Sequence, residues 1–280
     1  MTWQKEVDEL KQRLELVKQM GGKEKVGQQH SKGRLTARER IDSFLDERTF
    51  REIGAFASEP EYDEHADLKS FLPSSLIIGY GQTDNRNVCI LANDFTVKGG
   101  SSDWNAINKH DYIARMALQR KMPLVCLYEG GGGRVSEGGE RTITPINSGW
   151  AALTELMGEA PVVAANLGTA AGWIAVMVGF SHFSVMAKNS ELFVAGPPLV
   201  KPALGYDITK QELGNYRVHV YESGVVDNLG EDEEDCFRQI ERFLSYMPQN
   251  VWHSPPYTGC SRRSNYHSTA EHRLVSVPRL

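Results

Sequence analysis

Residues 127–139 read LYEGGGGRVSEGG. Four consecutive glycines, Gly130 to Gly133, follow an apolar run and precede Arg134. Ordering glycine costs more backbone entropy than ordering any other residue. So bare a stretch suits a place where another group must come close to the backbone. A glycine turn that opens a helix offers unhindered N–H groups backed by the helix dipole. Such a turn can hold a phosphate or stabilise an oxyanion as it forms. Two other stretches share this character: Lys98-Gly99-Gly100-Ser101 in NDFTVKGGS, and GTAAG from Gly168 to Gly172, followed by Trp173. For any one turn, tight helix–sheet packing explains the glycines equally well. Three turns after apolar strands in one chain favour a functional reading.

Other chemistries leave no trace. There is no GxxxxGK[ST] phosphate loop, no GxSxG nucleophile elbow and no HExxH metal helix. GGGGRVSEGG satisfies GxGxxG in no register, which leaves a dinucleotide site weakly supported. Without a nucleophile motif, oxyanion stabilisation gains over phosphate binding. Two such turns close in space suit enolate chemistry on a thioester, where charge moves onto the carbonyl oxygen. A chemistry needing a carboxylate base has Glu129, Glu137 and Glu140 as its near candidates. Arg134 reads as a tie for its loop before a phosphate ligand, and Glu137 as a capping or ion-pairing group. His182 and His219 read as satisfied core groups. Cys89, Cys126, Cys236 and Cys260 form no CxxC pair, so a zinc ribbon is not expected, nor any metal. Cys89 and Cys126 lie in apolar runs and read as reduced core residues, which suits the cytoplasm.

The elements that must position the turns can be read around them. The 280 residues carry 40% apolar and 24% charged side chains and a net charge of −5. That is a soluble globular composition, with no bulk electrostatic reason for nucleic-acid binding. The N-terminus has no signal-peptide core. Residues 160–187 contain no Asp, Glu, Lys or Arg, long enough for a bilayer span. Pro161, Asn166, Gly168, Gly172 and His182 interrupt that stretch, so it reads as a buried strand, a turn and a helix. PLVCLYE and PVVAANL are short apolar strands, and SLIIGYG with NVCILAND reads as a hairpin. Helices are expected through residues 107–118, 142–158 and 172–180. The turns near Gly99, Gly131 and Gly168 thus repeat a strand–turn–helix unit, and the fold class is α/β. Trp3, Val7, Leu10, Leu14 and Val17 space an amphipathic helix or a short coiled-coil seam. Lys23, Lys25, Lys32, Arg34, Arg38 and Arg40 make a basic stretch, read as solvated surface before a phosphate site. Thr36 and Glu39 fit a capping box. Residues 58–75 read as an exposed loop, and residues 231–246 as a helix with an acidic start. The divisions are 1–48, a helical segment; 49–250, the main domain; and 251–280, a linker or tail.

ARERIDSFLD, NDFTVKGGS, GGGGRVSEG, GTAAGW and ITKQELGNYRVHVYESGVVD occur in this order. In these five blocks, residues 20–256 resemble the carboxyltransferase subunit of biotin-dependent acyl-CoA carboxylases. They also resemble the related decarboxylase alpha subunits, as in glutaconyl-CoA decarboxylase. The resemblance implies a crotonase-like fold of repeated ββα units. It implies carboxyl transfer between biotin on a separate carrier and the α-carbon of an acyl-CoA thioester. Carboxybiotin would release CO2, its ureido nitrogen would take the α-proton, and the enolate would attack CO2. The implied oxyanion donors are the amides of Gly132, Gly133, Gly172 and Trp173. Lys98, Gly99, Gly100, Ser101, Gly131 and Arg134 are implied in binding the CoA substrate. Where the family usually reads G-P-C-A-G-G-A, this chain has Trp173 in place of a glycine, and its indole is expected to crowd the site. Family members carry two homologous halves, and this chain corresponds to the first. The implied partners are a biotin carboxyl carrier or biotin carboxylase subunit, a homologous C-terminal half or subunit, and further copies in a homo-oligomer. No nucleic acid or membrane span is expected. Two alternatives stay open: a biotin-independent crotonase-type decarboxylase or hydratase, and a non-catalytic half that binds a partner.

Overall fold

The computed structural model describes residues 3–133 and 148–255. A sheet runs through the molecule in the order β1 (Arg51–Ile53), β4 (Leu76–Thr83), β5 (Arg86–Asn93), β6 (Leu124–Gly130), β7 (Val162–Ala171), β8 (Phe183–Ala187), β10 (Asn228–Gly230). The first three strands are antiparallel and the rest pair in parallel. A further strand, β9 (Glu191–Phe193), pairs in parallel with the last three residues of β7. The β4–β5 hairpin closes on Asp84-Asn85, both at positive φ as a two-residue primed turn requires.

The sheet is covered on both faces, so its parallel strands are continuous apolar runs. Along β6, Leu124, Cys126 and Tyr128 face a layer made by α4 (Trp104–Arg120), α5 (Ser148–Met157) and α6 (Trp173–Gly179). Val125 and Leu127 face the opposite layer of α3 (Ala37–Phe44) and α9 (Glu233–Ser245). The crossovers β5–α4–β6, β6–α5–β7 and β7–α6–β8 bring the ends of β5, β6 and β7 to one edge of the molecule. The expected α/β class and the run of strand–turn–helix units hold. No helix among the described residues is long and apolar enough to cross a membrane; residues 160–187 form β7, α6 and β8.

Two expectations need correction. Residues 58–75 are not a loop: β2 (Ser58–Tyr62) and β3 (Leu68–Pro73) pair as a separate antiparallel ribbon. Pro60 is tolerated there because each strand of a two-stranded ribbon is an edge. The ribbon is held by α1 (Gln4–Lys18), whose Arg13 lies over the rings of Tyr62 and Phe71. Of the α1 seam only Val17 is buried; Trp3, Val7, Leu10 and Leu14 face solvent. Nor is the basic stretch a solvated surface. Lys23 and Lys25 are exposed on α2 (Lys23–His30), but Arg34, Arg38 and Arg40 turn inward to carboxylates. Basic residues in a polar run carry no sequence mark of the acidic partners folded against them from distant strands. The capping box forms as expected: Thr36 Oγ1 accepts from the Glu39 amide, and Glu39 accepts from the Thr36 amide.

Candidate functional site

Three glycine-rich segments meet at the ends of β5, β6 and β7. The first is the 3-10 turn Lys98–Gly100, where Lys98, Gly99 and Gly100 all take positive φ. The second is Gly130–Gly133. The third is Ala171-Gly172-Trp173. They pack backbone against backbone. A methyl group on Gly100 would stand 2.4 Å from the Glu129 carbonyl oxygen, and one on Gly130 would stand 2.4 Å from the Gly100 oxygen. A methyl on Gly132 would reach to 2.9 Å from the Ala171 oxygen. Any side chain at these points would wedge the turns apart, so their mutual approach accounts for Gly100, Gly130 and Gly132.

Hydrogen bonds fix the junction. The Ser102 amide donates to the Gly132 oxygen at 2.7 Å, and the Gly131 amide to the Gly99 oxygen at 3.0 Å. The Gly172 amide is shared between the Phe193 and Val194 oxygens at 3.2 and 3.1 Å. Among the described residues, the amides of Gly132, Gly133 and Trp173 donate to no carbonyl or side chain. The expected oxyanion donors therefore divide. Gly132, Gly133 and Trp173 retain available N–H groups; Gly172 spends its own on β9. Gly131, expected among the binding residues, is bonded within the junction. No described residue stands within 4 Å of the side-chain side of Gly133 or Gly99. Lys98 stands with Val97 and Asp103 on a cleft of about 360 Å3 between the β2–β3 ribbon and the start of α4. Arg134, Glu137 and Glu140 lie outside the described residues.

Trp173 does not crowd the junction as a loose ring. Its Nε1–H donates to Ser102 Oγ at 2.9 Å, and His110 from α4 meets the indole edge-on at 4.9 Å between ring centres. The indole thus ties the third turn to the first. His110 is buried, and burial pushes its pKa down to about 4, so the ring is neutral. Sequence reading missed His110 and Ser102. His110 falls on the apolar stripe of α4 with Ala106, Ile113 and Ala114, a placement the helical period discloses in retrospect.

The third turn begins later than expected. β7 continues through Gly168 to Ala171, and the chain turns only at Gly172. Gly168 has another reason to be glycine: a methyl there would stand 2.2 Å from Glu129 Oε1. That carboxylate is fully buried. It accepts from Gln29 Nε2 at 2.6 Å and pairs with Arg34 at 3.1 Å and Arg40 at 2.7 Å. Arg40 in turn pairs with Glu233 at 2.6 Å. Burial opposes the Arg40 charge, but Glu233 and Glu129 outweigh it and hold its pKa above the ordinary guanidinium range. Glu129, expected as a possible base, is instead the centre of an ionic lock beneath the second turn. His182 is satisfied at both nitrogens, by the Val162 amide and the Met157 carbonyl. His219 is bonded at Nε2 only, to the Leu192 oxygen at 2.6 Å, while its Nδ1 is buried without a partner. Among the described residues no group of His, Cys, Asp and Glu is placed to hold a metal ion.

Residues 28–277 match the family described as carboxyl transferase domain. The chain is 33% identical to the propionyl-CoA carboxylase carboxyltransferase subunit of Haloferax mediterranei, over 91% of this chain and 50% of that protein. It is 31% identical to the methylmalonyl-CoA carboxyltransferase 12S subunit of Propionibacterium freudenreichii, over 89% of this chain and 47% of that protein. Among solved structures, transcarboxylase 12S with methylmalonyl-coenzyme A bound superimposes with a TM-score of 0.79 at 30% identity, covering 92% of this chain and 51% of that one. The beta subunit of Pseudomonas aeruginosa geranyl-CoA carboxylase follows with a TM-score of 0.69 at 25% identity, covering 86% and 44%. The chain spans about half the length of the curated relatives it matches.

Proposed function

The chain belongs to the carboxyl transferase domain family, and on that premise we propose that it moves a carboxyl group between biotin and the α-carbon of an acyl-CoA thioester such as propionyl-CoA or acetyl-CoA. Biotin arrives on a separate carrier protein, and when bound it supplies the carboxyl group in activated form. The observation that carries this reading is the junction of three glycine turns with the Gly132, Gly133 and Trp173 amides left over. Fixed backbone donors of this kind stabilise the negative charge that moves onto a thioester oxygen when the α-carbon loses its proton. The chain contributes position and charge stabilisation, and no side-chain nucleophile. No described residue stands on the side-chain side of Gly133, which supports the approach of a carbonyl group, of a thioester or of a ureido ring, to the amides. Of the residues Lys98 to Ser101, Lys98 lines the cleft that we assign to the CoA portion.

A base-dependent crotonase reaction loses Glu129 as its base, because that carboxylate is locked in ion pairs. A homologous C-terminal half or subunit, the biotin carrier and further copies of the chain complete the proposed assembly. The buried thiols of Cys89, Cys126 and Cys236 fit a reducing compartment, the cytoplasm.

The test is a thermal-shift titration with free CoA and with acetyl-, propionyl-, methylmalonyl- and glutaconyl-CoA. A ligand that binds only the folded chain stabilises it by about 2.7 kcal/mol at a hundredfold excess over Kd. Thioesters are expected to raise the melting temperature above free CoA, and the ranking identifies the acyl group. Equal shifts from free CoA and every thioester would remove the amides from thioester recognition.

A further inference from the structure

We propose that His219 is a positioning residue for the third glycine turn and acts on it through β9. Its effect on catalysis rests on the proposed function; its effect on the turn does not.

The block ITKQELGNYRVHVYESG folds as α8 (Lys210–Gly214) and a π-helical turn, Arg217–Glu222. It lies against β9, a strand of three residues, and grips each of them. Gln211 Nε2 donates to the Glu191 carboxylate. His219 Nε2 donates to the Leu192 carbonyl at 2.6 Å. Gly214 lies so close that a methyl group there would stand 2.0 Å from the Leu192 oxygen and 3.1 Å from the Phe193 ring. Because the Leu192 oxygen can only accept, the His219 proton is on Nε2.

The next two carbonyls along the chain, Phe193 and Val194, are those that share the Gly172 amide. The peptide His219 holds thus immediately precedes the peptides that capture the third turn. β9 also runs in register with the end of β7, Thr169 opposite Glu191 and Ala171 opposite Phe193. So short a strand has few ladder bonds of its own, and the bond from His219 decides where its carbonyls point. With Gly172 held there, the neighbouring Trp173 amide makes no bond to β9 or to any other described residue. The π-turn is consistent with such a role, since single π-turns are frequent at functional sites. The backbone of His219 is fixed as well, its amide on the Asn215 oxygen and its carbonyl on the Val226 amide.

Two variants of the full chain separate this role from simple packing. His219→Gln keeps a donor nitrogen at the position of Nε2; His219→Phe keeps a ring and has no donor. The primary readout is hydrogen exchange of the Gly172 amide, which needs no ligand. His219→Phe is expected to speed that exchange by up to about tenfold, the loss of one protective hydrogen bond, with α9 and the β4–β5 hairpin unchanged. His219→Gln is expected to keep the wild-type rate. Propionyl-CoA stabilisation in the thermal-shift assay should follow the same order. Wild-type Gly172 exchange in His219→Phe would overturn the proposal, and so would an equal acceleration in α9 and β4–β5. If His219→Phe does not fold, Gln211→Leu removes the other side-chain hydrogen bond that this block makes to β9, and Gly172 exchange is read in the same way. Altered exchange without any thioester effect would uphold the positioning of the turn and count against the proposed function instead.

Discussion

At the scale of single residues, the site depends on how little room the backbone leaves. Gly168→Ala would place a methyl group on the Glu129 carboxylate, which cannot retreat without leaving Arg34 and Arg40. Overpacking of this kind costs about 1–3 kcal/mol, and the broken ion pairs move the expected loss to the upper end. Urea unfolding of the variant measures it; a loss below about 0.5 kcal/mol would mean that the lock yields freely. Trp173→Phe removes the indole N–H from Ser102 while keeping a ring against His110. It is expected to cost about 1 kcal/mol, the net worth of one hydrogen bond. These residues also mark the limit of what the sequence discloses. The glycines could be read as a place of close approach, and Gly132 and Gly133 as bare amides. What the sequence could not disclose is the partner in each approach. The Gly172 amide is taken by Phe193 at the end of β9 and by Val194 just after it, and Glu129 faces the α3–α9 layer because side chains alternate along β6.

At the scale of elements, α3 and α4 hold the junction from opposite faces of the sheet. α3 carries Arg40, which joins Glu129 on β6 to Glu233 on α9. Arg40→Met would leave Glu233 buried without its cation and Glu129 with Arg34 alone, and is expected to cost about 3–5 kcal/mol, read from the unfolding midpoint. α4 carries His110 behind Trp173. Its ordinary pKa is 6.5 and burial lowers it to about 4 in the folded chain. Between these values the unfolded chain binds more protons. Stability from this group is therefore full above pH 6.5 and falls as the pH drops towards 4, by about 3 kcal/mol in all. His110→Leu should flatten that part of the stability profile; an unchanged slope would assign it to other groups. Strands and helices with a clear period were legible in advance: β4 to β7, α4, α6 and α9. The β2–β3 ribbon was not, because its prolines and polar residues mimic a loop and its support is α1, outside the ribbon's own sequence.

At the scale of the molecule, the chain is a covered sheet with its glycine junction at one edge, and it spans about half of its relatives' length. Immediately after β9 the surface turns apolar. Val194, Leu199, Leu204 and Tyr206 are 68%, 64%, 63% and 51% exposed, and α7 (Pro197–Leu204) buries only Val200. An exposed apolar stretch of this length normally marks an interface. It leaves the same two carbonyls that hold Gly172, so whatever covers it adjoins the third turn. The homologous C-terminal half is the partner proposed for the site, and this surface is where its contact is expected. Replacing Leu199 and Leu204 together by Asp should leave the chain's own stability within about 0.5 kcal/mol, since both side chains are solvated. Sedimentation velocity with the C-terminal half of a curated relative should show a complex for the wild-type chain and none for the double variant. Thioester affinity should rise on adding that half to the wild-type chain alone. If the variant associates as the wild type does, the contact lies elsewhere, and the apolar stretch loses its role in completing the site.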